Sequence, residues 1–259
     1  DSVLVQLADF MEAAAVLKRK IKGVMTYPVV AFAIVLLIAT GLIVFVVPRF
    51  AQIFSDMNAE LPASTQLLIT ISDILLSPKI LIVIGAAIAG VIGLRVYNET
   101  DSGRFNLDKI KLKIPIFGLL LRKVAVGRFT GTLATLTRSG VPLLQALEIV
   151  EATAGNLVFS KAIWKSADGV RNGESLADPL ARSGEFPSMV TRMIGVGEKT
   201  GALETMLFKI QEFYDSEVNA LVDQLTSLLE PVVMVFMGII VGAIIVALFM
   251  PIMNLSQIV

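Results

Sequence analysis

Long uncharged segments near both ends of the chain dominate its pattern of hydrophobic and polar positions. Residues 23–48 carry no charge and residues 29–47 are almost wholly aliphatic, and residues 231–259 are also uncharged. At about 1.5 Å per residue, a helix of about nineteen residues nearly matches a hydrocarbon core of about 30 Å. Both segments are therefore predicted to be transmembrane helices.

A third apolar segment, residues 80–94, is shorter and lies between Lys79 and Arg95. It can cross a membrane if Lys79 extends its amine to the surface and the helix continues through Tyr97. The alternative is a buried helix of a soluble core. We predict three transmembrane helices.

The first and last apolar segments belong to an internal repeat. A shift of 203 positions brings Pro28 onto Pro231 and Pro48 onto Pro251, and it also aligns residues 10–12 with a similar triplet, Phe-Tyr-Asp. Self-similarity of this kind indicates a duplication. A polar region with helical spacing precedes the second copy but not the first, so we expect the sequence to be the C-terminal part of a longer, duplicated protein.

Composition narrows the possible functions. The 259 residues are 55% hydrophobic and only 17% charged, against about a quarter charged in a typical soluble domain. The formal net charge is zero, which provides no general attraction to nucleic acid. The chain has no Cys and no His, so it lacks disulfides, thiolate metal sites and the usual general base.

The distribution of basic residues predicts the orientation. Four lie within residues 18–22 and sixteen between residues 95 and 230, whereas residues 49–78 hold only Arg49 and the tail after Pro251 holds none. The positive-inside rule then places the start and the long polar segment in the cytoplasm. The short loop and the C-terminus are predicted to lie outside.

The long polar segment is predicted to be an all-helical bundle, because stretches with helical spacing alternate with turn and cap signals. These signals are at residues 139–142, 155–156, 171–173, 183–187 and 200–201. An apolar seam follows residues 203–229 in steps of three and four. Its interpretation stays open between packing inside the bundle and contact with another subunit.

Two amphipathic helices are predicted in the short outer loop. Apolar residues at helical spacing begin at Phe50 and end at Met57, a break follows at Leu61 and Pro62, and residues 67–75 form a second apolar face. Such helices favour the plane of the membrane interface.

Small residues in the spans allow close approach of helices, either within one molecule or between subunits. They are Gly85, Ala89, Gly93, Gly238 and Gly242. The spans contain no acidic residue, Lys or Arg in their apolar cores, which argues against a transporter. An intramembrane enzyme is a further alternative, but Thr40 is the only polar side chain well inside the first span and has no base beside it.

Two features resemble chemical sites without matching them. Residues 195–201 lack the first glycine of a phosphate-binding loop and have Glu198 directly before Lys199, so a helix-ending turn is the preferred interpretation. A basic cluster comprises Arg122, Lys123 and Arg128. One interpretation is a patch near the membrane that binds anionic lipid or an acidic partner, and the other is a plain solvated face. No catalytic, cofactor-binding or metal-binding residue is predicted.

A string of short motifs gives the chain a family resemblance. In order they are Pro115-Ile116-Phe117-Gly118, Arg128-Phe129, Ser139-Gly140-Val141-Pro142-Leu143, Gly155-Asn156, Val170 with Gly173, Phe186-Pro187, Val196-Gly197-Glu198 with Thr200-Gly201, Phe213-Tyr214 and Leu229-Glu230-Pro231. The chain resembles the platform proteins of the bacterial inner membrane in type IV pilus and type II secretion machines, the PilC and general-secretion F family. That family has two homologous cytoplasmic helical domains, and this sequence lacks the first.

The resemblance implies a non-enzymatic platform that couples a hexameric cytoplasmic assembly ATPase to the insertion of a pilin or pseudopilin into a filament, or to its extraction. Other inner-membrane assembly proteins, the lipid bilayer and further copies of the chain are the remaining expected partners. The residues expected to touch the ATPase are exposed, charged turns at helix ends: Arg171, Asn172, Glu198, Lys199 and Thr200. A membrane transporter or permease subunit is the alternative function, and the pilus is slightly favoured over the secretion system.

The predicted fold is all-α, a multi-pass membrane protein with three transmembrane helices and a cytoplasmic helical bundle. Its predicted segments are residues 1–27, the final helix of a first cytoplasmic domain; 28–48, the first span; 49–78, a periplasmic amphipathic loop; 79–97, the second span; 98–230, the second cytoplasmic bundle; 231–254, the third span; and 255–259, a periplasmic tail.

Overall fold

The structure, a computed structural model, describes residues 19, 23, 26–49, 52 and 63–255. These residues form helices and no strand, which confirms the predicted all-α class. The helices are α1 (Thr26–Arg49), α2 (Ala63–Leu76), α3 (Lys79–Glu99), α4 (Asp101–Lys111), α5 (Phe117–Arg138), α6 (Leu143–Thr153), α7 (Leu157–Arg171), α8 (Ala177–Ser183), α9 (Ser188–Thr200) and α10 (Leu203–Leu255).

Three described helices are long and apolar enough to cross a membrane, as predicted. They are α1, Ile80–Glu99 of α3 and Leu203–Val246 within α10. No residue in the apolar window of α3 is buried within the described residues, which favours the transmembrane interpretation over a buried core helix. The helix also continues past Tyr97 to Glu99, the extension that this short segment needs to span a bilayer.

Prolines mark the repeat but do not interrupt the described helices. Pro28 lies within α1, and residues 19 and 23 before it are also helical. Helix α10 runs through Pro231 and Pro251. The predicted helix from Phe50 to Met57, the break after it, most of residues 1–27 and residues 256–259 lie outside the described residues.

The chain forms two compact units, which we call the helical bundle and the membrane unit. The helical bundle comprises Arg95–Gln224, and the membrane unit combines Arg19–Leu94 with Leu225–Val259, in each case as far as the residues are described. Within the membrane unit, Val47 of α1 and Leu68 of α2 are buried together. The rings of Phe32 and Phe236 lie 5.7 Å apart between α1 and α10.

Three aromatic rings join different elements in the core of the helical bundle. The ring of Phe186, in the connection between α8 and α9, lies 4.8 Å from the ring of Phe129 on α5. It also packs edge-on against Phe159 of α7 at 5.4 Å. All three side chains are buried, with Leu133, Leu147, Ile163, Leu176, Leu180 and Ile194 among the fully enclosed residues around them. The predicted turn at residues 183–187 therefore also contributes to the core.

The predicted turns end helices in the manner expected. Glycines with positive φ follow five of the helices, at Gly140, Gly155, Gly173, Gly184 and Gly201. Asn156, predicted as a cap signal, accepts a hydrogen bond at its side chain from the backbone N–H of Val158 at 2.9 Å and begins α7. Local sequence therefore sets the boundaries inside the bundle.

Helix α5 approaches α10 closely along two glycines. A Cβ on Gly131 would lie 2.7 Å from the side chain of Gln211, and one on Gly127 would lie 3.5 Å from Tyr214. Leu207, Ile210 and Tyr214 of the apolar seam belong to the bundle core. For this part of the seam, the interpretation as packing inside the bundle is therefore confirmed.

Candidate partner-binding surface

One of the two turns predicted to contact a partner bonds to the short segment that follows the other. The carboxylate of Glu198, at the end of α9, accepts hydrogen bonds from the backbone N–H groups of Leu176 at 2.7 Å and Ala177 at 3.3 Å. It also accepts one from the hydroxyl of Ser175, three residues after Asn172. We call Ser175, Leu176, Ala177 and Glu198 the Glu198 junction. It joins the end of α9 to the start of α8.

The carboxylate of Glu198 is engaged within the chain because α8 lacks a cap of its own. Leu176 occupies the position before α8 and makes no side-chain capping bond. Its side chain is fully buried, as is that of Leu180. An apolar core residue therefore occupies this position, and it has no side-chain oxygen of the kind that Ser, Thr, Asp or Asn supplies at a helix start. Glu198 supplies the missing acceptor from another helix, and its negative charge suits a helix N-terminus.

The end of α7 presents an exposed Arg171 and Asn172. The Arg171 guanidinium lies 3.1 Å from the carboxylate of Glu148 and 3.8 Å from that of Asp168. All three side chains are about half exposed, so these ion pairs contribute little stability. Backbone bonds fix the turn itself, since the N–H of Asn172 bonds to the carbonyl of Asp168 at 3.2 Å. The charge of Arg171 is therefore held at the surface.

The end of α9 exposes Lys199 and Thr200. The Thr200 hydroxyl donates to the Val196 carbonyl at 2.8 Å, one turn back in the same helix. Gly201 follows with φ +70° and ends the helix. The predicted helix-ending turn at residues 195–201 is thus confirmed, and no strand precedes it among the described residues. A Cβ on Gly197 would lie 2.8 Å from the Cα of Leu203, so this glycine admits the return of the chain into α10.

The suspected basic patch is largely neutralised by carboxylates. Arg122 lies 2.8 Å from Glu185, and Lys123 pairs with Glu217 of α10. Arg128 is half-buried, and its guanidinium lies so near Gly155 that a Cβ there would be 2.6 Å from Nη1. These residues therefore tie elements of the bundle together, and the interpretation as a free anion-binding surface is weakened.

Sequence reasoning missed Asp108, the most buried carboxylate of the bundle. It is 5% exposed, and it accepts hydrogen bonds from the backbone N–H of Leu157 at 3.0 Å and from the Lys111 amine at 2.8 Å. Asp108 thereby ties α4 to the start of α7. Its partner at Leu157 is 49 positions away, and no local pattern reveals such a contact.

The small residues of the spans have open surroundings in the structure. A Cβ on Gly85, Gly93, Gly238 or Gly242 would meet nothing within 4 Å. Ala89 is exposed. Their role in helix packing stays a prediction. Within the part of the chain that the structure describes, no group of three or more Asp or Glu side chains is placed to bind a metal ion.

Comparisons with known proteins identify the family. The family model described as type II secretion system (T2SS), protein F, matches residues 129–251. The chain is 41% identical over 256 residues to a type IV pilus assembly protein PilC of Myxococcus xanthus, covering 99% of this chain and 61% of that protein. It is 36% identical to PilC of Pseudomonas aeruginosa, covering all of this chain and 69% of that protein.

A type II secretion system protein F of Pseudomonas aeruginosa is 37% identical over 99% of this chain and 63% of that protein. The chain thus spans about three fifths of the length of several of these relatives. Since the identity extends along the whole chain and across both units, the chain belongs to the family of type IV pilus PilC proteins and type II secretion system protein F.

Proposed function

We propose that the chain is the C-terminal portion of a non-enzymatic platform protein of the bacterial inner membrane. In this role it couples a cytoplasmic assembly ATPase to the movement of pilin into or out of a type IV pilus. The observation that carries the proposal is the 36% identity to a type IV pilus assembly protein over the entire chain. A pseudopilus of type II secretion is the related possibility, because protein F is 37% identical.

The helical bundle has the mechanical character that this role requires. A part that passes on displacement must not deform, and close-packed cores transmit strain well. Phe129, Phe159 and Phe186 interlock three elements, while Asp108 and Glu198 fix the helix starts at α7 and α8. We therefore propose the bundle as the body that receives force from the ATPase, on the cytoplasmic side that the positive-inside rule predicts.

The exposed residues beside the Glu198 junction are the proposed contact with the ATPase. Two of these exposed residues, Arg171 and Asn172, lie at the end of α7, and the other two, Lys199 and Thr200, lie at the end of α9. The Glu198 junction bonds the end of α9 to the chain that follows α7. We propose that Glu198 positions this surface, because its carboxylate oxygens accept hydrogen bonds from the backbone at the start of α8.

Co-purification from cells tests the coupling. Arg171→Glu combined with Lys199→Glu in the full-length protein should reduce recovery of the ATPase and leave recovery of pilin unchanged. Lys165→Glu, an exposed charge change elsewhere on α7, is the matched control and should recover both partners. Unchanged ATPase recovery with the double variant would remove this surface from the interface.

Thiol labelling tests the orientation, because the chain has no Cys of its own. A cysteine in place of exposed Asn172 should react with a membrane-impermeant reagent only after the inner membrane is permeabilised. A cysteine in place of exposed Gln66 on α2 should react from the periplasmic side. Labelling at position 172 in cells with an intact inner membrane would overturn the cytoplasmic placement.

A further inference from the structure

Residues 109–123 interleave basic and apolar side chains without a single acidic residue. Five are Lys or Arg, and most of the others are Ile, Leu or Phe. We call this stretch the basic–apolar segment. It begins at the end of α4, passes through Pro115 and enters α5.

The apolar side chains of this segment are unusually exposed. Ile110 is 58% exposed, Ile114 44%, Ile116 47% and Phe117 52%. Single exposed apolar residues are ordinary, but several of them within one short segment indicate an interaction surface. Around this run, Lys109, Lys111 and Lys113 are exposed as well.

The backbone at Ile116, in the middle of the basic–apolar segment, is strained. Ile116 has φ +67° and ψ −57°, and the N–H of Phe117 bonds to the carbonyl of Pro115 at 2.8 Å. This is a tight three-residue turn that is rare even for flexible residues and strained for a β-branched one. Buried anchors flank it, since Leu112 is in the core and a Cβ on Gly118 would lie 2.3 Å from the Leu112 carbonyl oxygen. Strain maintained in this way is typical of binding sites.

The segment starts beside the end of a membrane-compatible helix. Tyr97 lies in the last turns of α3, and its hydroxyl accepts a hydrogen bond from the Asn106 side chain of α4 at 3.1 Å. The Thr100 side chain caps α4 and also bonds to the Tyr97 carbonyl at 2.7 Å, which makes a tight corner. Ile110 follows Asn106 by about one helical turn. Tyrosine itself favours the membrane–water boundary.

We propose that the basic–apolar segment lies in the headgroup region of the bilayer, on the leaflet where α3 ends. Ile110, Ile114, Ile116 and Phe117 insert among the acyl chains, and the lysines contact anionic headgroups. Three of the five basic residues are paired with carboxylates, Lys111 with Asp108, Arg122 with Glu185 and Lys123 with Glu217. The exposed apolar side chains therefore lie beside Lys109 and Lys113, which make no ion pair in the described contacts, and exposed apolar and basic side chains together are a composition that binds anionic lipid surfaces. The inference requires only that α3 span a membrane, so it is independent of any coupling to an ATPase.

Lipid quenching tests the location in the whole chain. A single cysteine replaces Phe117 or, in a second variant, Ile110, and carries an environment-sensitive fluorophore. The labelled protein is reconstituted in vesicles of phosphatidylcholine and phosphatidylglycerol with brominated acyl chains. We expect strong quenching by the brominated lipid and poor quenching by aqueous iodide at both positions. Val196, 51% exposed on α9, is the matched control and should show the reverse.

A probe at Ile88, which is 54% exposed within α3, verifies reconstitution and must be quenched by the brominated lipid. If position 88 is quenched while positions 110 and 117 behave like position 196, the proposal is wrong and the span stands. Protection of positions 110 and 117 from both quenchers would also overturn it, in favour of a protein that covers the segment.

Charge variants test the preference for anionic lipid. Lys109→Gln with Lys113→Gln removes two charges and leaves the pair between Lys111 and Asp108 intact. Lipid quenching at Phe117 should then fall to the lower level measured in vesicles of phosphatidylcholine alone. Lys199→Gln, an exposed charge on α9, should not change it. Equal quenching in neutral and anionic vesicles before mutation would contradict the lysine contacts.

Discussion

Replacing Glu198 with Ala should loosen α8 while the rest of the bundle stays folded. The substitution removes the acceptor of two backbone N–H groups and of the Ser175 hydroxyl. A hydrogen bond to a charged group contributes about 1.5–3 kcal/mol. The N–H of Leu176, at 2.7 Å, makes a full bond of this kind, whereas the N–H of Ala177 at 3.3 Å makes a weak one. Water replaces part of the loss, so the opening free energy of α8 should fall by about 2 kcal/mol.

Hydrogen exchange measures this quantity directly in the intact chain in detergent. A loss of about 2 kcal/mol corresponds to about thirtyfold faster exchange of the amides in residues 176–183, because 1.4 kcal/mol is a factor of ten. Glu198→Gln keeps one acceptor oxygen and loses the charge, and it should have a smaller effect of about fivefold. Exchange in α5 should change little in either variant.

Lys199→Ala is the control, because Lys199 is exposed at the same helix end and makes no bond to α8 in the described contacts. It should leave exchange in residues 176–183 unchanged. If Glu198→Ala gives the same exchange as the wild-type protein, the carboxylate does not hold α8. The geometry at the Glu198 junction would then have no energetic consequence, and Glu198 would return to the candidates for direct partner contact.

Two further experiments test packing and charge. Gly118→Ala should lower the free energy of unfolding by about 3 kcal/mol, because the new methyl group would lie 2.3 Å from the backbone carbonyl oxygen of Leu112. Thermal unfolding in detergent measures this loss. Gly238→Ala is the control and should not destabilise the protein, because a Cβ at Gly238 meets nothing within 4 Å. A double-mutant cycle of Lys123→Ala and Glu217→Ala should give a coupling free energy of about 1 kcal/mol. The value is modest because the two side chains are only partly shielded from solvent, at 19% and 39% exposed. A coupling of zero would show that the pair does not link α5 to α10.

Features that depend on neighbours in sequence were predictable. The charge-free segments, the turns at Gly140 and Gly201 and the cap at Asn156 are all encoded within a few residues, and the structure has each of them. The false phosphate loop was also recognisable, because its residue order violates the pattern that the chemistry needs. The family resemblance rests on the same kind of local motif.

Features that depend on distant partners were not predictable from one sequence. Glu198 and Asp108 look like ordinary solvated helix residues until the fold places α8 and α7 beside them. The close approach of α5 to α10 occurs at Gly127 and Gly131, inside the bundle. The sequence predicts close helix packing at small residues of the transmembrane spans instead. Exposure of the basic–apolar segment likewise appears only once Leu112 and Gly118 are known to be buried.

The start of α8 is capped by Glu198 of another helix, and this arrangement should limit which substitutions are tolerated at both positions. A polar residue at position 176 would be buried in a fully enclosed site, because Leu176 is 0% exposed, and burial of a polar side chain is costly unless it is hydrogen-bonded. An acid at position 198 and an aliphatic residue at position 176 are therefore expected to be inherited together. Lineages that lose one should change the other in compensation, so the two columns of a family alignment should covary although 22 positions separate them.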